Sequence, residues 1–187
     1  MNLPHDRFCV LPWISLEASP IGTVRPCCLA DDELRDDAGE KFSLLTADFT
    51  AIQNSSDMRD LREQFLAGKQ PQTCRRCWNE ERAGRTSKRM HTLDRLKHMI
   101  ATEAWTEDAR PLMFLDLKLG NICNLKCRIC GSWSSSQFAT EEIQWTAKED
   151  QKSTYAYQML KAGAWPRENA QFWSQIDQHL NHIRYIE

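Results

Sequence analysis

The sequence predicts an α/β fold, the start of a parallel sheet preceded by a smaller, loop-rich α+β segment, and three observations carry that expectation. Residues 112–120 (LMFLDLKLG) read as a buried strand bounded by Gly120. Helical periodicity follows, and the chain then runs into HIRYIE, which has the composition of a strand; strand, helix, strand is the order of a parallel unit. Residues 1–30 instead break short apolar stretches with Pro4, Pro12, Pro20, Gly22 and Pro26, which suits loops and a small hairpin around Gly22.

Between these parts the elements are read in order. Residues 31–40 (DDELRDDAGE) are acidic and have the character of a solvated loop. From Ser55 or Ser56, either able to cap, a helix of about three turns puts Met58, Leu61, Phe65 and Leu66 on one face and stops at Gly68, with Pro71 beyond. The run from Trp78 to about Ile100 is rich in helix formers, with Leu93, Leu96 and Ile100 at helical spacing and one weakening Gly84. On that reading Cys74 and Cys77 sit just before a helix. Residues 106–111 (TEDARP) look like a linker and divide the chain into 1–107 and 108–187. After the strand comes the loop NICNLKCRICG, then a helix starting among the serines at 132–136 and running to about Asp150. A second helix spans about 168–180, with Phe172, Ile176 and Leu180 at i, i+4 and i+8.

A chain of 187 residues that is 41% hydrophobic can bury a sizeable core. A net charge of -2 and a pI near 6.2 give no electrostatic reason to expect nucleic acid or a membrane as partner. The N-terminal MNLPHDRFCVLPW lacks the features of a secretory signal, and no stretch approaches the roughly 18 apolar residues of a spanning helix. A cytoplasmic protein is expected. Its eight cysteines fall into groups: Cys9, Cys27 with Cys28, Cys74 with Cys77, and Cys123 with Cys127 and Cys130. In a reducing compartment, grouped thiols point to metal or redox chemistry rather than disulfides.

Three cysteines at spacings x3 and x2 on a loop directly after a strand can each ligate one iron of a [4Fe-4S] cluster, leaving the fourth iron open to a small chelating molecule. Zinc sites mostly need four ligands and favour paired CxxC spacings. The run Cys123-Asn124-Leu125-Lys126-Cys127-Arg128-Ile129-Cys130 resembles the CxxxCxΦC signature of the radical S-adenosylmethionine superfamily, placed after the first strand of its (β/α) barrel. That resemblance implies an enzyme that reductively cleaves S-adenosylmethionine to a 5′-deoxyadenosyl radical. It implies Cys123, Cys127 and Cys130 as ligands, with Ile129 and Asn124 beside the cofactor. Ile129 stands where the family usually has an aromatic residue.

Cys9, then twelve residues, Gly22, then four residues, Cys27 resembles the opening of the SPASM and Twitch pattern, which binds an auxiliary [4Fe-4S] cluster; Cys74 and Cys77 can complete four ligands. FCVLPW and CRRCWNEERAGRTSKR also look like Twitch-containing relatives. A hairpin that brings two ligands together has a use for a glycine tolerant of positive φ. Cys28 is the surplus cysteine; adjacent cysteines are not separable by spacing, and the pattern slightly favours Cys27. A four-cysteine zinc ribbon would suit CC plus CxxC equally well, and only the neighbouring CxxxCxxC tips the choice to iron.

Arg75, Arg76, Arg82, Arg85, Lys88 and Arg89 form a basic stretch whose ordinary reading is a solvated helix face. Trp13, Trp78, Trp133 and Trp173 are expected in the core or shielding a cluster, and the five histidines show no paired ligand spacing. The chain reaches Glu187 where the family's glycine-rich GGE-type stretch would begin, so it reads as a fragment holding the start of a radical S-adenosylmethionine barrel behind a Twitch-like domain. The resemblance further implies S-adenosylmethionine as a partner, a peptide or other macromolecule as substrate, and an electron donor such as flavodoxin or ferredoxin.

Overall fold

The computed structural model describes residues 3–100 and 104–187. A single helical turn, α1 (Leu11–Ile14), takes Pro12 in its first turn, where no intrahelical donor is lost. It runs straight into β1 (Ser15–Ala18), which turns back into β2 (Val24–Arg25) with Ala18 opposite Val24. Gly22 makes the turn at φ +86°, a conformation that favours glycine, and a Cβ there would also push the Leu45 side chain aside. This is the hairpin expected at Gly22.

After α2 (Phe49–Gln53), α3 (Ser56–Leu66) forms where the spacing predicts it: the Ser55 hydroxyl accepts the Met58 N–H, and Met58, Leu61 and Phe65 face inward. The single helix expected after the second cysteine pair is corrected to two. α4 (Arg75–Arg82) already contains Cys77 and has Cys74 at its N-cap, so the cysteines are part of the helix rather than ahead of it. Gly84, at φ +73°, follows its end, and Ser87 caps α5 (Lys88–Leu96). A glycine followed by a new capping serine stops a helix rather than weakening it.

β3 (Phe114–Leu117) is the buried strand expected from residues 112–120. The helix expected to run to about Asp150 ends sooner: α6 (Ser136–Trp145) closes at Thr146, which is extended. Thr154 then caps α7 (Tyr155–Ala162), a helix with no counterpart in the sequence reading. α8 (Ala170–His179) and β4 (Tyr185–Ile186) complete the chain as expected.

The four strands make one sheet in the order β2-β1-β3-β4, with β1 and β4 parallel to β3 and β2 antiparallel to β1. β3, α6 to α8 and β4 form one β-α-β unit in a mixed α/β structure; the described residues do not close a barrel. β1 lies on the other edge of β3, so strands from both sides of residue 108 share the sheet, and 1–107 meets 108–187 along that seam. Nor is the stretch near 106–107 a free linker. The Thr106 carbonyl accepts the Trp13 indole N–H at 2.7 Å, and the Glu107 carbonyl accepts from the wholly buried Arg62 at 2.6 Å.

Alternation along the strands gives the sheet two unlike faces. Leu16, Ala18, Val24 and Leu115 pack under Phe49, Ile52, Phe172 and Ile176. Phe114 joins the other core with Phe8, Trp13, Phe65, Trp78, Leu93 and Leu96, and Glu17 and Asp116 alternate onto the same side. With about 1.5–3 kcal/mol for each large apolar side chain buried, the two cores fix the β1–β3 seam and everything hung on its ends.

Candidate metal centres at opposite ends of one sheet

Cys9, Cys27, Cys74 and Cys77 line one small cavity, walled otherwise by Leu11, Leu29, Phe65, Trp78 and the buried Arg89. The fold brings them together from three directions. Cys9 precedes α1, Cys27 follows the end of β2, and Cys74 and Cys77, three apart on α4, present their thiols on one face. Because β2 is antiparallel to β1, both Cys9 and Cys27 arrive at the end of the sheet where β1 and β3 begin.

The cavity is thiol-rich and largely apolar. Burial raises the pKa of Cys9, and its neighbours Cys74 and Cys27 raise it further. Burial likewise pushes Cys27 up to about 11 and Cys74 well above the ordinary thiol value. Against that trend, backbone N–H groups point at the sulfurs: Leu11 toward Cys9, Leu29 and Ala30 toward Cys27. Hydrogen bonds of this kind favour the thiolate, so the sulfurs are arranged to be charged once a cation compensates them. Among the described residues no three His, Cys, Asp or Glu side chains are gathered around a point suited to one metal ion. The thiols nonetheless line one shared cavity.

Arg89, read from sequence as part of a solvated basic face, is instead 7% exposed and braces this cavity. Its guanidinium pairs with Glu81 at 2.6 Å, donates to the carbonyls of Asp6 and Phe8, and lies 5.1 Å from the Trp78 ring. It thereby ties the segment leading into Cys9 to α4. Sequence reasoning missed it because a buried arginine and a surface arginine look alike in a basic run.

Cys28 turns away from the cavity. Burial raises its pKa, as does a hydrogen bond with Asp116, while Lys88 opposes the rise. It belongs to a polar layer on the inner face of the sheet. Glu17, wholly buried, pairs bidentately with Arg25 at 2.8 and 3.0 Å and with Lys118 at 2.9 Å, and Lys118 also reaches Asp116 at 2.9 Å. None of these residues carried a signal in the sequence beyond its charge.

The second set lies at the opposite end, since Cys123, Cys127 and Cys130 follow the last residue of β3. A four-residue strand spans roughly 13 Å, which sets the scale of the separation. Gly120 leads into the loop at φ +99°, and a Cβ there would lie 2.5 Å from the Gly163 carbonyl oxygen at the end of α7. Asn121, 3% exposed, anchors the base: its side-chain amide donates to the Ser132 carbonyl at 2.8 Å and its own carbonyl accepts the Ser136 N–H. Ser135 donates to the Leu125 carbonyl and Ser136 to that of Cys123.

Above this base the loop is open. Cys127 is exposed, Cys123 and Cys130 are half-buried, and the Cys130 N–H donates to the Cys127 carbonyl in a tight turn. Leu125 N–H lies 3.4 Å from Cys123 Sγ, the same i+2 arrangement found at Cys9 with Leu11 and at Cys27 with Leu29. Ile129, expected beside a cofactor, is 91% exposed; Asn124 of the same loop is exposed too, as are Ile122, Leu125 and Trp133. The Oδ1 of Asn121 is buried with no partner among the described residues. Of the tryptophans expected in the core or shielding a cluster, Trp13 and Trp78 are buried, whereas Trp133 and Trp173 stand about half exposed, outside the core.

A mixed α/β sheet carries a four-cysteine cavity at one end, a donor set that fits a metal centre. Residues 9–78 match the model of the SPASM family, an iron-sulfur cluster-binding domain. The matched stretch starts at Cys9 and ends one residue past Cys77, so it brackets all four cavity cysteines and covers well under half of the chain. No curated protein and no solved structure matches the chain. No helix of the described residues is long and apolar enough to cross a membrane.

Proposed function

We propose that this chain is the cluster-bearing part of a radical S-adenosylmethionine enzyme. Cys123, Cys127 and Cys130 would hold the cluster that binds S-adenosylmethionine, and Cys9, Cys27, Cys74 and Cys77 an auxiliary one. The observation that carries the reading is the placement of the CxxxCxxC loop at the carboxyl end of a parallel strand, with the four-thiol cavity at the other end of the same sheet. Ligand and substrate sites of parallel α/β sheets lie beyond the carboxyl ends of strands.

When bound, the three-cysteine cluster supplies the electron that cleaves S-adenosylmethionine to a 5′-deoxyadenosyl radical. This chain's own residues prepare the site. Gly120 lets the loop pass close to α7, Asn121 and the two serines fix its base, and Leu125 N–H steadies the Cys123 thiolate. Ile129 and Asn124, exposed on the loop, are placed to meet the cofactor, and the exposed Ile122, Leu125 and Trp133 would exclude water on closure. The substrate is proposed to be a peptide or other macromolecule, and the compartment the cytoplasm.

Anaerobic reconstitution should load about eight irons and as many sulfides per chain. Added S-adenosylmethionine should then change the electron paramagnetic resonance signal of one reduced cluster only. Zinc without sulfide would refute the iron reading; two clusters both blind to S-adenosylmethionine would leave an electron-transfer protein.

A further inference from the structure

Where β3 and β4 begin, the molecule opens into a cleft of about 490 Å³, a size that admits a small molecule. Its apolar lining includes the buried Ile14 and Ile100 together with Trp105, Met113 and the exposed Met99. The sheet ties these walls together: the Arg184 N–H donates to the Met113 carbonyl at 2.8 Å, and the Met113 N–H to that of Ile14 at 2.9 Å. The charged and titratable side chains of the lining are Arg110, His182 and Arg184, with no Asp or Glu beside them. Arg184 uses Nη1 on the carbonyls of Asn181 and Ile183, at 2.8 and 3.0 Å. No carboxylate pairs with it among the described residues. Arg110 lies 5.9 Å from the Trp105 ring. The Trp105 indole N–H is shielded from water and has no acceptor among the described residues. A donor left in that state costs free energy, and an acceptor brought to it recovers that cost. Trp105 as a whole is only partly buried, so a small rotation of the ring presents the N–H to the cleft.

We propose that this cleft binds a small carboxylate with an apolar body, its headgroup held by Arg184 and the Trp105 N–H and its body laid along Ile14, Met99, Ile100 and Met113. The donor-rich wall selects the headgroup. An ionised carboxylate only accepts hydrogen bonds, matches a guanidinium in charge and shape, and supplies the acceptor that the indole lacks. An ammonium group would meet like charge and offer only donors, and a hydroxyl would bring an acceptor without the charge. The apolar lining selects the body, since a fully polar anion would leave Ile14, Ile100 and Met113 unmatched. None of the eight cysteines lines the cleft, and it lies at the end of the sheet opposite the CxxxCxxC loop. The inference therefore goes beyond the function proposed above and stands or falls without it.

The test uses the full chain with its metal loaded, sodium octanoate as the probe, and the indole N–H resonances of the seven tryptophans as the readout. The Trp105 resonance is assigned from its loss in Trp105→Phe. Octanoate should shift that resonance saturably. 1-Octanol should need about tenfold more for the same shift, and octylammonium more again. Arg184→Gln, at an exposed position, should weaken octanoate about tenfold and leave 1-octanol unchanged. Met99→Trp, also exposed, should weaken both by filling the cleft. Unmoved resonances of the other tryptophans show that each variant is folded. Equal affinity for octanoate and 1-octanol would overturn the proposal, as would octanoate binding that Arg184→Gln leaves unchanged. A Trp105 resonance that none of the three probes shifts would overturn it as well.

Discussion

Raising the pH of the metal-free chain should unfold it from the auxiliary site outward. Burial holds the Cys27 thiol at about 11 in the fold against the ordinary 9.0, and burial raises Cys9 and Cys74 in the same direction. In the unfolded chain these thiols return to the ordinary value. The neutral thiol is therefore the form the fold favours: its contribution is complete below about pH 9 and is lost as pH rises toward and through about 11, because the unfolded chain gives up its protons first. For Cys27 alone, the difference between 9.0 and about 11 corresponds to roughly 3 kcal/mol. That is a large share of the roughly 5–15 kcal/mol that holds a domain together. Urea unfolding followed by tryptophan fluorescence, between about pH 7 and about pH 11 under a thiol reductant, would measure it. Cys27→Ala is the control and should show a flatter decline. In Lys88 and Lys118, burial works against the charged form, but bonds to Glu187 and to Glu17 with Asp116 outweigh it and raise both. Their loss runs in the same direction but is common to both proteins, so the difference isolates the thiol. Parallel declines in wild type and variant would refute the reasoning.

Further expectations concern the two ends of the sheet. Cys123→Ala with Cys127→Ala and Cys130→Ala should halve the iron and sulfide content and leave the auxiliary cluster, because the sets hang on different segments; loss of both would mean one shared site. Cys27→Ala should abolish auxiliary loading while Cys28→Ala, whose side chain faces Asp116 and Lys88 instead of the cavity, should retain it, as read by iron content. Gly120→Ala should lower stability by about 1–3 kcal/mol through backbone strain, with the close Gly163 oxygen adding to it, and should reduce loading of the three-cysteine loop selectively. Glu17→Gln should cost about 1–3 kcal/mol in urea unfolding, since it removes the buried charge that pairs with Arg25, while Lys118 keeps Asp116.

Local signals in the sequence were transparent where a single residue imposes its own conformation. Gly22 demanded a turn and made one; Ser55 could cap and does; the apolar run at 112–120 had nowhere to go but a buried strand. The misreadings share a cause as well. Gly84 looked like a blemish in one long helix because helix formers flank it, and only the appearance of Ser87 as a cap shows two helices. Thr146 ends α6 although the residues on either side are tolerable in a helix. Arg89 passed for a solvated cation because its burial depends on Glu81, Trp78 and the carbonyls of Asp6 and Phe8, contacts from two separate stretches of chain.

By itself the sequence determined the chemistry on offer: eight cysteines in spaced groups, a CxxxCxxC loop behind a strand, and a glycine hairpin between Cys9 and Cys27. Those follow from covalent order and from the conformations that single residues allow. Which cysteines share a cavity was decided only by tertiary structure. β2 runs antiparallel to β1, so Cys27 arrives beside Cys9; α4 turns Cys74 and Cys77 inward; Cys28, one peptide away, turns to Asp116 and Lys88 instead. The parallel seam of β1 and β3 was equally invisible, since pairing between residues about a hundred apart is set by the burial of both sheet faces at once, and no local stretch of sequence carries that information.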